Sequence, residues 1–380
     1  MKVLHLWGTP YEMGHAQGTA LKEDVEYIFD EFPSYIDSQI EQYIGWLPKD
    51  IKKIIETDGV QAALDFTILL TSEYTPQHFK DEIRGLADAL GKDYAAVYRL
   101  QMFPALIQAA CSMAGAWGQA TPNGNLVQLR ALDWGINVPF RKKPLLTVYH
   151  PNSDNGKPFV SWTWPGFLGS ITAFGTNLGM SEKVWEKHPE ALSRSGIPWH
   201  FLFRDVVQYD TTLEEAISRM QNAHRTCAVF LGCGSLTENK FAVIEYEHAD
   251  IAVFHPNTSF PGYAPQPPQH PLMDDLVYVD KHTQPSGDPC MASILKADYG
   301  QITPESLIQL MAKFGTGDLH SAIFDFGAQH IYLGMADQNL PYPAPNGTSV
   351  EPAYKRGFVN LDVAELHAVE KPTTVRLVQK

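Results

Sequence analysis

No pair of cysteines in this chain is spaced for a metal or a redox dithiol. Cys111, Cys227, Cys233 and Cys290 include no Cys-x-x-Cys, which argues against a four-cysteine zinc site. Four cysteines in 380 residues also make no disulfide scaffold. The 14 histidines include no His-Glu-x-x-His, so neither a catalytic metal nor any other cofactor is expected. Positive charge is scarce as well. With 29 Lys and Arg against 43 Asp and Glu, the net charge is −14; this excludes a non-specific nucleic-acid binder, which needs clustered cations. Long apolar runs are missing: stretches such as Phe66–Leu70 are far too short to span a bilayer. The opening "MKVLHLWGTPYEMG" has no sustained apolar core and no small-residue cleavage site, so no signal peptide is expected in it. No internal repeat is found.

What remains is an ordinary globular composition, 44% hydrophobic and 19% charged, in a chain long enough for a large core. Residues 10–108 read as mostly helical. Phe79, Ile83, Leu86, Ala87 and Leu90 recur at spacings of three and four, and Gly91 supplies a stop. From Cys111 the texture becomes short, β-branched and aromatic: "CSMAGAWG", "NLVQLRALDW", "LLTVYH", "FVSWTW", "LGSITAF". Turn signals such as Pro122-Asn123-Gly124 separate these runs. Helices are expected at 198–209, at 212–223 behind an N-cap signature, and near 304–314. Strands resume at "CAVFLGCG", "KFAVIEYE" and "IAVFH", "APQPPQHP" (264–271) reads as a surface loop, and a final hairpin turns near Gly327. This order gives an α+β fold with large antiparallel sheets rather than alternating βαβ units.

The stretch "AACSMAGAWG" (109–118) poses a question of chemistry. A cysteine after two alanines is either a buried structural residue or a nucleophile whose preceding peptide bond must be reachable. Cutting the chain between Ala110 and Cys111 would put a free α-amine on the residue that bears the thiol. That amine has a reference pKa of about 7.7–8 and is a usable base near neutral pH. The strand after the Pro-Asn-Gly turn carries Arg130 and Asp133. If it pairs with the Cys111 strand, an arginine can stabilise a thiolate and an aspartate can hold an α-ammonium. Three residues apart, however, the two side chains fall on opposite faces of a regular strand. Either the strand bulges near 131–132 or Asp133 lies past its end. Trp117, Trp134, Trp162, Trp164, Trp185 and Trp199 either line an apolar groove or fill the core.

Several stretches, in order along nearly the whole chain, resemble the N-terminal-nucleophile (Ntn) cysteine amidohydrolases of the acid ceramidase, N-acylethanolamine acid amidase and penicillin acyltransferase-like group. They are "GTPYEMGHAQG" (8–18), "DEIRGLADALGKDY" (81–94), "CSMAGAWG…LRALDWG", "WPGFLGSITAFGTNLGMSEK" (164–183) and the Gly-x-x-His hairpin "TGDLHSAIFDFGAQHIYL". The resemblance implies an αββα sandwich of two stacked antiparallel sheets between helix layers. It implies one globular domain cut into a helical α chain (1–110) and a catalytic β chain (111–380). By that resemblance Cys111 is the nucleophile, Ala110–Cys111 the cleavage site, Arg130 the pocket arginine, Asp133 the amine-holding aspartate and Glu182 an ordering carboxylate. Asn257 is the nearest match to the oxyanion asparagine, with Asn177 the other candidate. Trp134, Trp164, Phe167 and Asn177 are the expected substrate contacts. The implied partner is an N-acyl amide or lipid, with peripheral membrane contact conceivable and no nucleic acid. Ester hydrolysis of phospholipase-B type, acyl transfer, and an uncut lipid-binding protein are the alternatives. The compartment stays open: lysosomal or secreted by resemblance, cytoplasmic otherwise.

Overall fold

A computed structural model of the protein describes residues 1–43, 49–105, 110–136, 138–185, 193, 195–258, 270–337 and 350–373. Most of the expected loop at 264–271 and the end of the expected helical region at 106–108 lie outside the described residues. Among those described, the chain opens with a strand, β1 (Lys2–Gly8), and then the helices α1 (Pro10–Ala20), α2 (Lys22–Tyr43), α3 (Lys49–Thr71), α4 (Gln77–Leu90) and α5 (Tyr94–Met102). Strands follow: β2 (Ala110–Ala116), β3 (Val127–Asp133), β4 (Leu145–Pro151), β5 (Phe159–Thr163), β6 (Ala173–Gly175) and β7 (Leu178–Val184). Helices α6 (Trp199–Tyr209) and α7 (Leu213–Asn222) lead to β8 (Val229–Ser235), β9 (Lys240–Tyr246), β10 (Ile251–Phe254) and β11 (Leu276–Val279). The last part holds α8 (Cys290–Ala297), α9 (Pro304–Phe314), β12 (His320–Asp325), β13 (His330–Met335), β14 (Val359–Asp362) and α10 (Val363–Ala368).

Local chemistry explains the helix ends. Thr9 caps α1: its hydroxyl accepts from the Glu12 N–H, Glu12 Oε2 accepts from the Thr9 N–H at 2.7 Å, and Pro10 occupies the first turn. Thr212 and Glu215 build the same box on α7. Gly91 ends α4 in the left-handed conformation, φ 66°. The expected apolar face of α4 is buried, with Phe79, Ile83 and Leu86 fully covered. Helix α4 packs on α1 through glycines. A Cβ on Gly14 would stand 2.0 Å from the Glu82 carbonyl oxygen, and one on Gly85 2.0 Å from that of Tyr11. Two of the motif stretches, 8–18 and 81–94, thus encode one close helix contact.

The strands form two sheets, in the orders β1-β4-β5-β6-β7-β8-β9-β10 and β11-β2-β3-β12-β13-β14. Their inner faces meet over Met113, Phe174, Phe241 and Phe324. Helices α1 to α7 cover the outer face of the first sheet, while α8 and α9 pack on Ala114, Leu129 and Ala131 of the second. The layers are therefore helix, sheet, sheet, helix: an α+β sandwich. The pairing is antiparallel with one correction. Strand β1 runs parallel to β4, with Leu4 opposite Thr147. The run "LGSITAF" yields only the three-residue β6. That short strand matters for the site.

Candidate active site

Cys111 is the second residue of β2 and is fully buried. Strand β3 lies antiparallel beside it, so Cys111 faces Leu132, Met113 faces Arg130 and Ala110 faces Asp133. The register runs unbroken from Val127 to Asp133, so there is no bulge; Asp133 is the last residue of the strand. Its carboxylate escapes the apolar face because a loop clamps it. Thr316 donates its hydroxyl to Oδ2 at 2.5 Å, and the Gly317 and Asp318 N–H groups donate to Oδ1 at 2.7 and 3.1 Å. Burial nonetheless raises its pKa above the usual carboxylate range. Asp318, buried beside Asp133, is pushed up to about 6, mostly by burial and then by that neighbouring charge.

Arg130 points the other way, between the sheets, and is fully buried. The ladder from β6 to β7 reaches only the Ala173–Met180 pair, so beside Glu182 the first sheet has a gap. Arg130 fills it. Its Nη2 donates to Glu182 Oε1 at 3.0 Å, its Nε to Ile171 O and Thr172 Oγ1 at 3.2 Å each, and its Nη1 to Ala131 O at 2.9 Å. The Cys111 thiol lies 3.8 Å from the same Glu182 oxygen. Lys183, also buried, donates to Lys281 O at 3.2 Å, just past the end of β11 on the other flank of β2. Burial pushes the thiol up to about 12. Arg130 and, more weakly, Lys183 pull it down, while Glu182 adds to the rise.

The structure thus brings together Cys111, Arg130, Asp133 and Glu182. It does not bring in either asparagine. Asn257 is exposed beyond β10, the outermost strand of the first sheet. Antiparallel pairing from β7 through β8 and β9 to β10 sends that strand's end toward the Leu178 end of β7, away from the Val184 end where Glu182 lies. Asn177 sits in the turn before Leu178, five residues or roughly 16 Å along the chain from Glu182. In this chain neither Asn257, expected at the oxyanion, nor Asn177, expected at the substrate, stands beside Glu182 and Cys111. The aromatics are near but closed. Trp134 lies 6.1 Å from Trp164, which stacks on Phe140 at 4.2 Å and on Phe167 at 4.7 Å. All four are buried in the cluster that holds Cys111, so in the intact chain they are core rather than the walls of an open groove.

Sequence reasoning missed Thr172, Thr316, Lys183 and His320. His320, the histidine of the Gly-x-x-His hairpin, is buried with its Nε2 2.9 Å from Thr172 Oγ1. Among the described residues, no group of three His, Cys, Asp or Glu side chains is disposed to hold a metal ion.

Fold and site together define a class: a four-layer α+β sandwich with a buried cysteine near the start of an inner strand, between an arginine–glutamate pair and a clamped aspartate. No protein-family model matches the sequence. The chain belongs to the dcd1 protein family. It is 42% identical over 379 residues to protein dcd1B of Dictyostelium discoideum, covering 98% of this chain and 76% of that one. It is 42% identical over 374 residues to protein dcd1A of the same organism, covering 96% and 85%. Among solved structures, the Caenorhabditis elegans ortholog of N-acylethanolamine-hydrolyzing acid amidase aligns with a TM-score of 0.43 at 13% identity, over 66% of this chain and 100% of that one. At that score the likeness is partial and assigns no chemistry to this chain.

Proposed function

We propose that the protein is an Ntn cysteine amidohydrolase that cuts itself before Cys111 and then cleaves an N-acylated small molecule. The observation that carries this is the register of β2 on β3. The residue before the cysteine faces the clamped carboxylate of Asp133, while the thiol lies beside Glu182 and its partner Arg130.

In the cut, the Cys111 sulfur attacks the Ala110 carbonyl carbon, the thiol proton passes to the Cys111 nitrogen, and the C–N bond breaks, leaving Ala110 as a thioester and the Cys111 nitrogen as an amine. Water hydrolyses the thioester and frees the thiol. In turnover, the α-amine takes the thiol proton and the thiolate adds to the substrate carbonyl. The amine then returns the proton to the departing amine, and water resolves the acyl-enzyme. Asp133 holds the α-ammonium. Because both candidate asparagines lie elsewhere, the electrostatic help to the oxyanion falls to Arg130, Lys183 and backbone N–H groups.

A lipid-like acyl group is supported by a mainly apolar cavity of about 400 Å³, walled by Phe29, Phe32, Ile36 and Leu64 with Asp58 and Arg99 also at its lining. It adjoins the aromatic stack through Phe32 and Phe103, whose rings are 4.1 Å apart, and Phe103 stacks on Trp134.

Intact mass tests the reading. The active protein should consist of chains of residues 1–110 and 111–380, and Cys111→Ala should remain whole and inactive on N-acyl amides. An uncut wild-type chain without turnover would favour a lipid-binding protein instead. Preference for a lysophospholipid over an N-acyl amide would favour the ester hydrolase, and release of the acyl group to a second amine rather than to water would favour the acyltransferase.

A further inference from the structure

Arg130 is held from behind by a hydrogen-bond relay that the chemistry proposed above does not use. Its guanidinium has only donors, so in its 3.2 Å contact with Thr172 the hydroxyl oxygen must accept. Thr172 then has one proton left, and His320 Nε2 stands 2.9 Å away. For that proton to be donated, Nε2 must be bare, which puts the ring proton on Nδ1. Thr172, Arg130 and His320 are all buried, and if Nε2 carried the proton instead, the Thr172 hydroxyl proton would be buried with no acceptor among its contacts. We propose that Thr172 and His320 are positioning residues that aim Arg130 at the Cys111 site, with His320 fixed as the uncharged Nδ1–H tautomer. This rests on the reading of Cys111 as nucleophile.

The surroundings favour that state. Arg130 is the charged group that reaches His320, with Glu182 beyond it. Strand β5 sets the Trp162 ring 6.2 Å away, and β13 places Met335 opposite in register. Burial first, and the positive charge of Arg130 second, hold the imidazole pKa well below its ordinary value. A protonated ring would reverse the Thr172 bond and set a second cation against the guanidinium. The Gly-x-x-His hairpin thus carries a histidine whose use is to accept, not to transfer a proton.

The test pairs removal with rescue. Thr172→Val and His320→Leu should each lower turnover of a fluorogenic N-palmitoyl arylamide about 10- to 100-fold with KM little changed, the size of loss expected from a misplaced group. Thr172→Ser and His320→Gln, which keep a hydroxyl and an acceptor, should stay within about threefold of wild type. A merely structural role would lower folded yield in all four alike. Independently of turnover, 15N NMR of the histidine-labelled wild-type protein should show His320 as the Nδ1–H form down to about pH 5. An Nε2–H tautomer or an imidazolium overturns the proposal, as does full turnover in His320→Leu. Retained turnover in Cys111→Ala would instead overturn the nucleophile reading and leave the NMR result to decide the relay.

Discussion

A double-mutant cycle on Arg130 and Glu182 tests the electrostatic centre of the site. The cycle is run in a Cys111→Ala background, which keeps the chain whole and removes cutting as a variable. Both side chains are essentially out of water, 0% and 4% exposed, and meet at 3.0 Å. Breaking a buried pair from one side typically costs about 3–5 kcal/mol, because the survivor is a buried, unpaired charge. Glu182→Ala should fall at the low end, near 3 kcal/mol by that scale, since Arg130 keeps Ile171 O, Thr172 Oγ1 and Ala131 O. Arg130→Met should cost more, about 4–5 kcal/mol, because it strands Glu182 and also leaves the Ile171 and Ala131 carbonyls without that donor. The double variant removes both charges, so no unpaired charge is left, although the Ile171 and Ala131 carbonyls still lose that donor. It should cost about 5 kcal/mol rather than the sum, a coupling of at least about 2 kcal/mol. Urea unfolding with shared m-values measures all four corners. Additivity within about 0.5 kcal/mol would show that the two groups do not act as a pair and would remove the reason for Arg130 to lie beside the thiol.

Two further expectations concern the scaffold. Gly14→Ala and Gly85→Ala each drive a methyl group into a backbone carbonyl at 2.0 Å. Each should cost at least about 3 kcal/mol in urea unfolding, whereas Gly357→Ala, which meets nothing within 4 Å, should be nearly silent; equal effects would refute the close α1–α4 contact. At the seam where α10 meets β4, His5 Nδ1 and His150 Nε2 are 3.0 Å apart and His367 lies within reach of both. Burial first, and mutual repulsion second, hold His150 and His367 down to about 4. The unfolded chain therefore takes up their protons first, and stability is lost as pH falls from about 6.5 toward about 4. Discounted for the solvent that reaches the cluster at His5 and His367, the loss should be on the order of 1 kcal/mol for each. His367→Gln should flatten a plot of urea midpoint against pH in that window, and an unchanged slope would count against the cluster.

What the sequence disclosed, and what it hid, follows from the range of the interactions. The pairing of β2 with β3 was legible because a Pro-Asn-Gly turn joins two apolar runs, and an antiparallel hairpin brings Arg130 and Asp133 back to the cysteine. The apparent conflict between their faces dissolves because the two residues serve opposite sides of the strand. Arg130 enters the gap beside Glu182, and Asp133 turns out to the 316–318 clamp. Nothing local announces that gap, which exists only because β6 is three residues long. Thr172 and His320 meet across two sheets, 148 residues apart in sequence, and only the stacking of the sheets joins them. The parallel β1–β4 pair and the short strand β11 beside β2 escaped for the same reason. Asn257 was chosen by its place after a strand. The direction of that strand, which carries Asn257 away from Glu182, is not revealed by the order of residues.

If the chain is cut before Cys111 as proposed, the burial of that cysteine bears on the order of events. A thiol pushed up to about 12 is almost wholly protonated at neutral pH, and its strongest nearby carboxylate works against ionisation. As long as the Ala110–Cys111 bond is intact, the nitrogen of Cys111 is an amide and no base. Cutting creates a group with a reference pKa of about 7.7–8 on the same residue, next to a carboxylate whose orientation is already fixed by Thr316, Gly317 and Asp318. The aspartate would therefore need no rearrangement to receive the ammonium, and in turnover the pull of Arg130 on the sulfur would be joined by a proton acceptor on the same residue. On this reasoning the uncut chain should react with an N-acyl substrate no faster than Cys111→Ala does. The onset of turnover in freshly folded protein should follow the appearance of the 111–380 fragment, as paired activity and intact-mass time courses would record. Turnover that precedes the fragment would break the link between the cut and the chemistry.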